Sequence, residues 1–222
     1  MLNGLLFASV VSCTPTVACT FSWNLWGAGF RALFNSTARC VKTLRVLDVS
    51  QCSGVKLSFL AQLPDSCALE VLRADGCNSL TTMNAQLPAN GALREISVKG
   101  CPNLRTVDLE APALELFSAS HAVSLSGLAL TAPHLRQLHA VHCRNLQELD
   151  INKLLQPSAL QELNLEGCSS LPAGVLSALV AASPGLRLCN MNSCRQLSQL
   201  VVPGALVLNA LLKCVGSPAE LH

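Results

Sequence analysis

One phase of the chain carries a cysteine again and again, and that recurrence limits the fold more than anything else in the sequence. In the stretch LREISVKGCPNLRTVDL, Leu93–Leu109, the skeleton is Leu-x-x-Leu-x-Leu-x-x-Cys-x-x-Leu with aliphatic substitutions. It returns with leading residues Leu44, Leu69, Leu93, Leu114, Leu135, Leu160, Leu186 and Leu206, spaced by 25, 24, 21, 21, 25, 26 and 20 residues. Three places after each leader stand Leu47, Leu72, Ile96, Phe117, Leu138, Leu163, Cys189 and Asn209. Two further on come Val49, Ala74, Val98, Ala119, Ala140, Leu165, Met191 and Leu211. Eight places after the leaders are Cys52, Cys77, Cys101, Ala122, Cys143, Cys168, Cys194 and Cys214.

A period between about 20 and 29 residues with this pattern is that of a leucine-rich repeat. The alternation turns two side chains of each short strand inward and the ones between them outward. One repeat cannot bury its apolar side alone, so neighbours stack and their strands pair in parallel. The expectation is an α/β leucine-rich-repeat solenoid. A curved parallel sheet would line its concave face, with short helices and extended segments mixed on the convex face. The cysteine falls where the chain leaves the sheet, a place for a small buried thiol that donates weakly to a loop carbonyl.

The return segments differ among repeats. SSLPAGVLSALVAASPG, 169–185, is long enough for a helix with Val175, Leu176, Leu179 and Val180 on one face, ended by Pro184 and Gly185. A second short helix is expected over 55–63. The 21-residue repeats leave no room for one. There Leu104-x-x-Val107-x-Leu109 and Leu125-x-x-Leu128-x-Leu130 read as extended, closed by Ala111-Pro112 and Ala132-Pro133.

The array is read as residues 44–215, about eight repeats, with 216–222 a tail and 1–43 a non-repeat segment or cap. Half of the residues are hydrophobic, aromatics are 4% and tyrosine is absent, a composition suited to small stacked layers. The opening MLNGLLFASVVSC lacks a positive flank, so it is read as a truncated or alternative start. A secretory leader is the alternative, and the sequon at Asn35 would gain meaning only then. Trp23, Trp26, Phe30, Leu33 and Phe34 recur at near-helical spacing. That makes 21–40 a helix-like cap over the first strand's open side, or a remnant of a preceding repeat, with an aromatic ligand site as the alternative. A net charge of +2 without Lys/Arg runs does not fit a nucleic-acid footprint, and no apolar run approaches the length of a membrane-spanning helix.

The stretch LQELNLEGCSSLPAGVLSALVAASPGLRLCNMNSC, 160–194, resembles the cysteine-containing repeats of F-box/leucine-rich-repeat proteins. The short variants NLRTVDLEAPALELF and NLQELDI are similar to the plant and algal F-box/leucine-rich-repeat 15-like group. The similarity spans about residues 44–214, without a visible F-box. It implies the substrate-recognition arm of an SCF-type ubiquitin ligase, a substrate adaptor in protein ubiquitination. Docking on Skp1–cullin machinery would follow only if an F-box exists outside this chain.

No Cys-x-x-Cys pair occurs among the twelve cysteines. The in-phase set Cys52, Cys77, Cys101, Cys143, Cys168, Cys194 and Cys214 is read as a structural ladder of reduced thiols in a cytoplasmic or nuclear protein, with secretion as the alternative. Cys13, Cys19, Cys40 and Cys67 lie outside the phase, and Cys189 takes a core position. His134, His139, His142 and Cys143 form the one local cluster of metal-ligand type. Cys143 should point inward and His139 to the concave face, so no shared metal is expected. His142 shares a turn position with Gly76, Gly100, His121 and Gly167. No phosphate loop, nucleophile elbow or zinc-protease motif is present, so neither an enzyme nor a cofactor is expected.

What remains is a protein-binding concave surface. Its outward positions run Val46/Asp48/Ser50, Val71/Arg73/Asp75, Glu95/Ser97/Lys99 and Leu116/Ser118/Ser120. They continue Gln137/His139/Val141, Glu162/Asn164/Glu166, Leu188/Asn190/Asn192 and Leu208/Ala210/Leu212. Candidate partner-binding residues are Asp48, Arg73, Asp75, Glu95, Lys99, His139, Glu162, Asn164, Glu166, Leu188, Asn190, Leu208 and Leu212. Such a mixed surface suits a protein better than a phosphate backbone. The apolar Leu188, Leu208 and Leu212 stand out as contact residues or the mark of a missing cap.

Overall fold

The computed structural model describes residues 16–18, 42–52, 54–150 and 159–194. Eight short strands form one parallel sheet, labelled here in chain order. They are β1 (Thr16–Ala18), β2 (Val46–Asp48), β3 (Val71–Arg73), β5 (Glu95–Ser97), β7 (Leu116–Ser118), β9 (Gln137–His139), β11 (Glu162–Asn164) and β12 (Leu188–Asn190). From β2 onward each strand begins two places after a repeat leader. The register pairs equal phases, as in Leu72 with Ile96, Phe117 with Leu138 and Leu163 with Cys189. The hydrophobic period alone sets this register, because a slip of one residue would turn every core side chain to solvent.

A second parallel sheet lies behind the first, in the order β10 (Glu148–Asp150), β8 (Gly127–Thr131), β6 (Thr106–Glu110) and β4 (Thr82–Gln86). Strands β6 and β8 are the extended returns expected of the 21-residue repeats. The 24- and 25-residue repeats that start at Leu69 and Leu135 also return as strands, β4 and β10, which the spacing did not announce. The alternation Met83/Ala85 in, Thr82/Asn84/Gln86 out shows why: two residues at period 2 suffice to bury one side. Helix α1 (Ala173–Ala181) occupies the return of the 26-residue repeat, and Leu57–Gln62 forms a 3-10 helix in the first.

The core fills the space between the two walls as one unbroken cluster from Leu44 to Cys194. Leu47, Leu72, Ile96, Phe117, Leu138 and Leu163 face Met83, Val107, Leu128 and Leu149 across it, all at most 4% exposed. Each such leucine stabilises by about 1.5–3 kcal/mol relative to exposure, so every layer depends on its neighbours. The chain is a leucine-rich-repeat solenoid.

Within the segment 1–43, Thr16–Ala18 pairs in parallel with β2 and adds a strand to the sheet on the side where a helix-like cap was expected. The cap itself, 21–40, lies outside the described residues, as does the eighth repeat with Leu206, Leu208, Leu212 and Cys214.

Candidate functional site

Where the chain leaves the concave sheet, a residue in the left-handed region bends it. Gln51, Gly76, Gly100, His121, His142, Gly167 and Ser193 all have φ between 58° and 73°. The N–H of this residue donates to the next repeat, as in Gln51 to Asp75 O at 2.6 Å and His142 to Glu166 O at 2.6 Å, so the ladder runs past the strand end. Glycine fits this backbone without strain, and a residue with a Cβ costs about 1–2 kcal/mol there. The side chains at the turn are also layered. A Cβ on Gly76 would meet Gln51 Nε2 at 2.1 Å, and one on Gly167 would meet His142 Nδ1 at 2.3 Å. His121 and His142 rest against each other with ring centroids 5.2 Å apart.

One residue later each cysteine turns inward. Cys77 Sγ donates to Val49 O at 3.2 Å, Cys101 to Ala74 O at 3.2 Å, Cys143 to Ala119 O at 3.1 Å, Cys168 to Ala140 O at 2.9 Å and Cys194 to Leu165 O at 3.2 Å. Each acceptor is the residue that follows the strand of the preceding repeat, so the thiols stitch consecutive layers together. The sequence placed the thiol at a loop carbonyl of no stated repeat; the partner is the strand exit next door. Ala122 interrupts the row. All eight described cysteines are free and buried, Cys67 and Cys189 included. Burial pushes the thiols up, Cys77 to about 12 and Cys101 and Cys143 to about 11, and raises Cys67 and Cys168 as well. Such thiols are poor nucleophiles and ligands.

The concave face lies in front of this framework. Several candidate residues are engaged in holding it. Asp48 Oδ1 accepts from Ser50 N at 2.9 Å, Asn164 Oδ1 from Glu166 N at 3.3 Å and Asn190 Oδ1 from Asn192 N at 3.1 Å, the local turns that Asp and Asn favour. Asp75 Oδ1 accepts from Ser97 Oγ at 2.6 Å and from Lys99 N at 2.7 Å. Across strands, Arg73 pairs with Glu95 at 3.3 Å, His139 Nε2 lies 3.2 Å from Glu162 Oε1, and Asn190 Nδ2 donates to Glu166 Oε2 at 3.0 Å. Lys99 is exposed and Leu188 is 51% exposed. Ser97, Ser118 and Ser120 face the concave side as expected, yet they are 3%, 0% and 8% exposed. Their side chains are too short to rise between longer neighbours on a surface that curves inward.

Ser118, His139 and Glu162 stand on three adjacent strands, a sequence of residue types that invites a catalytic reading. The geometry does not serve one. Ser118 Oγ is buried and has no hydrogen-bond partner, so His139 does not activate it. Among the described residues no group of three or more His, Cys, Asp or Glu side chains is placed to hold a metal ion. His139 and Cys143 diverge as the repeat phase requires, His139 partly exposed and Cys143 fully buried.

One feature of the face escaped the sequence reading. Immediately after the leaders stand Arg45, Glu70, Arg94, Glu115, Arg136, Gln161 and Arg187. Arg45 pairs with Glu70 at 2.7 Å, Arg94 pairs with Glu115, and Arg136 reaches Glu115 at 3.9 Å. The alternation of sign was visible once this column was aligned. These pairs are solvent-exposed, so each contributes well under about 1 kcal/mol. They make one border of the concave face a charged rail ending in Arg187.

Comparison with solved structures finds similarity to a protein of known fold. An internalin from Listeria monocytogenes is 15% identical, with 79% of this chain and 67% of that chain covered at a TM-score of 0.27. No family model and no curated protein matches the chain.

Proposed function

We propose that this chain is a non-catalytic recognition arm whose concave sheet binds a protein partner, and that it serves in the cytoplasm or nucleus as the substrate-recognition part of an SCF-type ubiquitin ligase or a derivative of one. The observation that carries the recognition reading is the unbroken concave sheet. Paired strands there present mixed charges, amides and an exposed Leu188 on one surface, while the chemistry-bearing cysteines face the opposite way. A polar rim with scattered apolar anchors is the make-up of a protein interface. The ligase reading is supported by the resemblance of residues 160–194 to the repeats of F-box/leucine-rich-repeat proteins, and the intracellular reading by the free buried thiols.

Expressing the complete transcript tests the ligase part. Co-purification of its product with Skp1 is the expected result. If the complete product has no F-box and does not bind Skp1, the ligase part falls and the recognition arm stands. Thiol titration of purified protein in denaturant tests location: twelve reactive thiols are expected, and bridged cysteines or glycosylation at Asn35 would instead mark a secreted recognition protein.

A further inference from the structure

The charged rail alternates in sign except at one place. Arg45, Arg94, Arg136 and Arg187 take turns with Glu70, Glu115 and Gln161, so Gln161 stands where a third glutamate would complete the series. The backbone of this column is fixed by the ladder. Arg136 O accepts from Gln161 N and Glu162 N, and Gln161 O from Arg187 N and Leu188 N, at 2.8–3.0 Å. Neighbouring members therefore lie one strand spacing apart, about 4.8 Å, with Arg136 and Arg187 on either side of Gln161. Side chains at that spacing meet, as Arg45 and Glu70 do at 2.7 Å.

Glu115 shows what a carboxylate does in this column. Its Oε1 pairs with Arg94 and its Oε2 lies 3.9 Å from Arg136, so one carboxyl group serves the arginine on either side. Gln161 cannot do the same for its two neighbours. Arg136 is left with a long contact to a carboxyl group that Arg94 already holds, and Arg187 makes no ion pair among the described residues. Glu162, the next residue along the chain, has its carboxylate 3.2 Å from His139 Nε2 and pairs with neither arginine. Both arginines are exposed, and the Gln161 amide offers N–H donors of its own. Beside Arg187 stands Leu188, 51% exposed.

We infer that the break in the rail at Gln161 is an anchor point for the protein partner, and that an Asp or Glu side chain of the partner fills it. The incoming carboxylate pairs with Arg136 on one side and Arg187 on the other, as Glu115 bridges Arg94 and Arg136, and so completes the alternation from outside. Leu188 gives the same spot an apolar contact that a protein segment can use and a free anion cannot. With the Glu162 carboxylate close by, a dianionic phosphate would meet more repulsion than a single carboxylate. This inference rests on the protein-binding reading above.

Gln161→Glu tests it, because that variant places the carboxylate in the chain itself. At low salt its melting temperature should hold level or rise by about 2 °C, the gain of an exposed ion pair. A lower melting temperature would mean that the two arginines do not converge there, and the inference would be lost. Selection of a phage-displayed random peptide library on the immobilised full chain, with affinities then measured on the enriched peptides made synthetically, gives the binding half. The expected result is a shared Asp or Glu. Gln161→Glu, and Arg136→Gln combined with Arg187→Gln, should each weaken binding about tenfold, since two exposed charge pairs are lost together. Arg144→Gln removes an exposed positive charge away from the rail and should leave binding unchanged. Enriched peptides that share no carboxylate, or that bind the rail variants as well as the native chain, would overturn the anchor and leave the recognition reading standing. Equal weakening by Arg144→Gln would reduce the effect to net charge and overturn the anchor too. Failure to enrich any peptide would count against both.

Discussion

Raising the pH should unfold this protein through its thiols. Burial holds Cys77 protonated to about 12 and Cys101 and Cys143 to about 11, against an ordinary value of 9.0 that the unfolded chain regains. Above pH 9 the unfolded state has therefore lost protons that the folded state keeps. Stability must fall as pH rises, by about 1.4 kcal/mol per pH unit for each thiol. At pH 10 the three together remove about 4 kcal/mol, a large share of the 5–15 kcal/mol that holds a typical protein folded, and Cys168 acts in the same direction. Tyrosine is absent from the chain, so no tyrosinate absorbance overlaps the thiolate signal. Urea unfolding under reducing conditions, followed by circular dichroism between about pH 8 and pH 10.5, measures the slope. Thiolate ultraviolet absorbance follows the protons. A stability flat to pH 10, or more than four thiolates per chain appearing near pH 9 before the fold is lost, would refute the buried-thiol reasoning, because four of the twelve cysteines lie outside the eight described as buried.

Four further outcomes follow from the same geometry. Cys143→Ala deletes the bond to Ala119 O and leaves a small void, so it should cost about 1–2 kcal/mol and lessen the alkaline slope by one proton. Gly100→Ala meets nothing within 4 Å and should cost only the left-handed backbone strain of about 1–2 kcal/mol; Gly167→Ala should cost more, because its Cβ would collide with the His142 ring. Chemical denaturation of the two variants gives the order. Leu163→Asp places a carboxylate in the core between β9 and β12 and should melt neighbouring repeats together, seen as loss of the cooperative thermal transition. Arg73→Ala removes an exposed ion pair and should change stability by less than about 1 kcal/mol, and a melting curve in the reverse order would show the strand phase to be wrong.

Much of the concave side was legible because period 2 within a strand and one leader per repeat leave a single register. Phe117 could only point inward and Ser118 only outward. The return side was less legible. Its strands bury few residues, two in β4 and one in β10, so both resembled irregular chain in repeats long enough to allow a helix. The charged rail was missed for a different reason: Arg45, Glu70, Arg94 and Glu115 are each unremarkable alone and form a pattern only as a column. Likewise Asp48, Asn164 and Asn190 looked like free surface until their oxygens were found closing local turns.

By itself the sequence determined that the chain must stack: the leucine period, the seven in-phase cysteines and the left-handed turn position can be satisfied together only by layers that share strands. Which groups on those layers remain uncommitted was decided by the tertiary structure alone. Outwardness is a property of one strand, whereas exposure and hydrogen-bond satisfaction depend on side chains contributed by repeats some twenty residues away. That is why Ser118, outward by its phase, lies buried without a partner at the middle of the face.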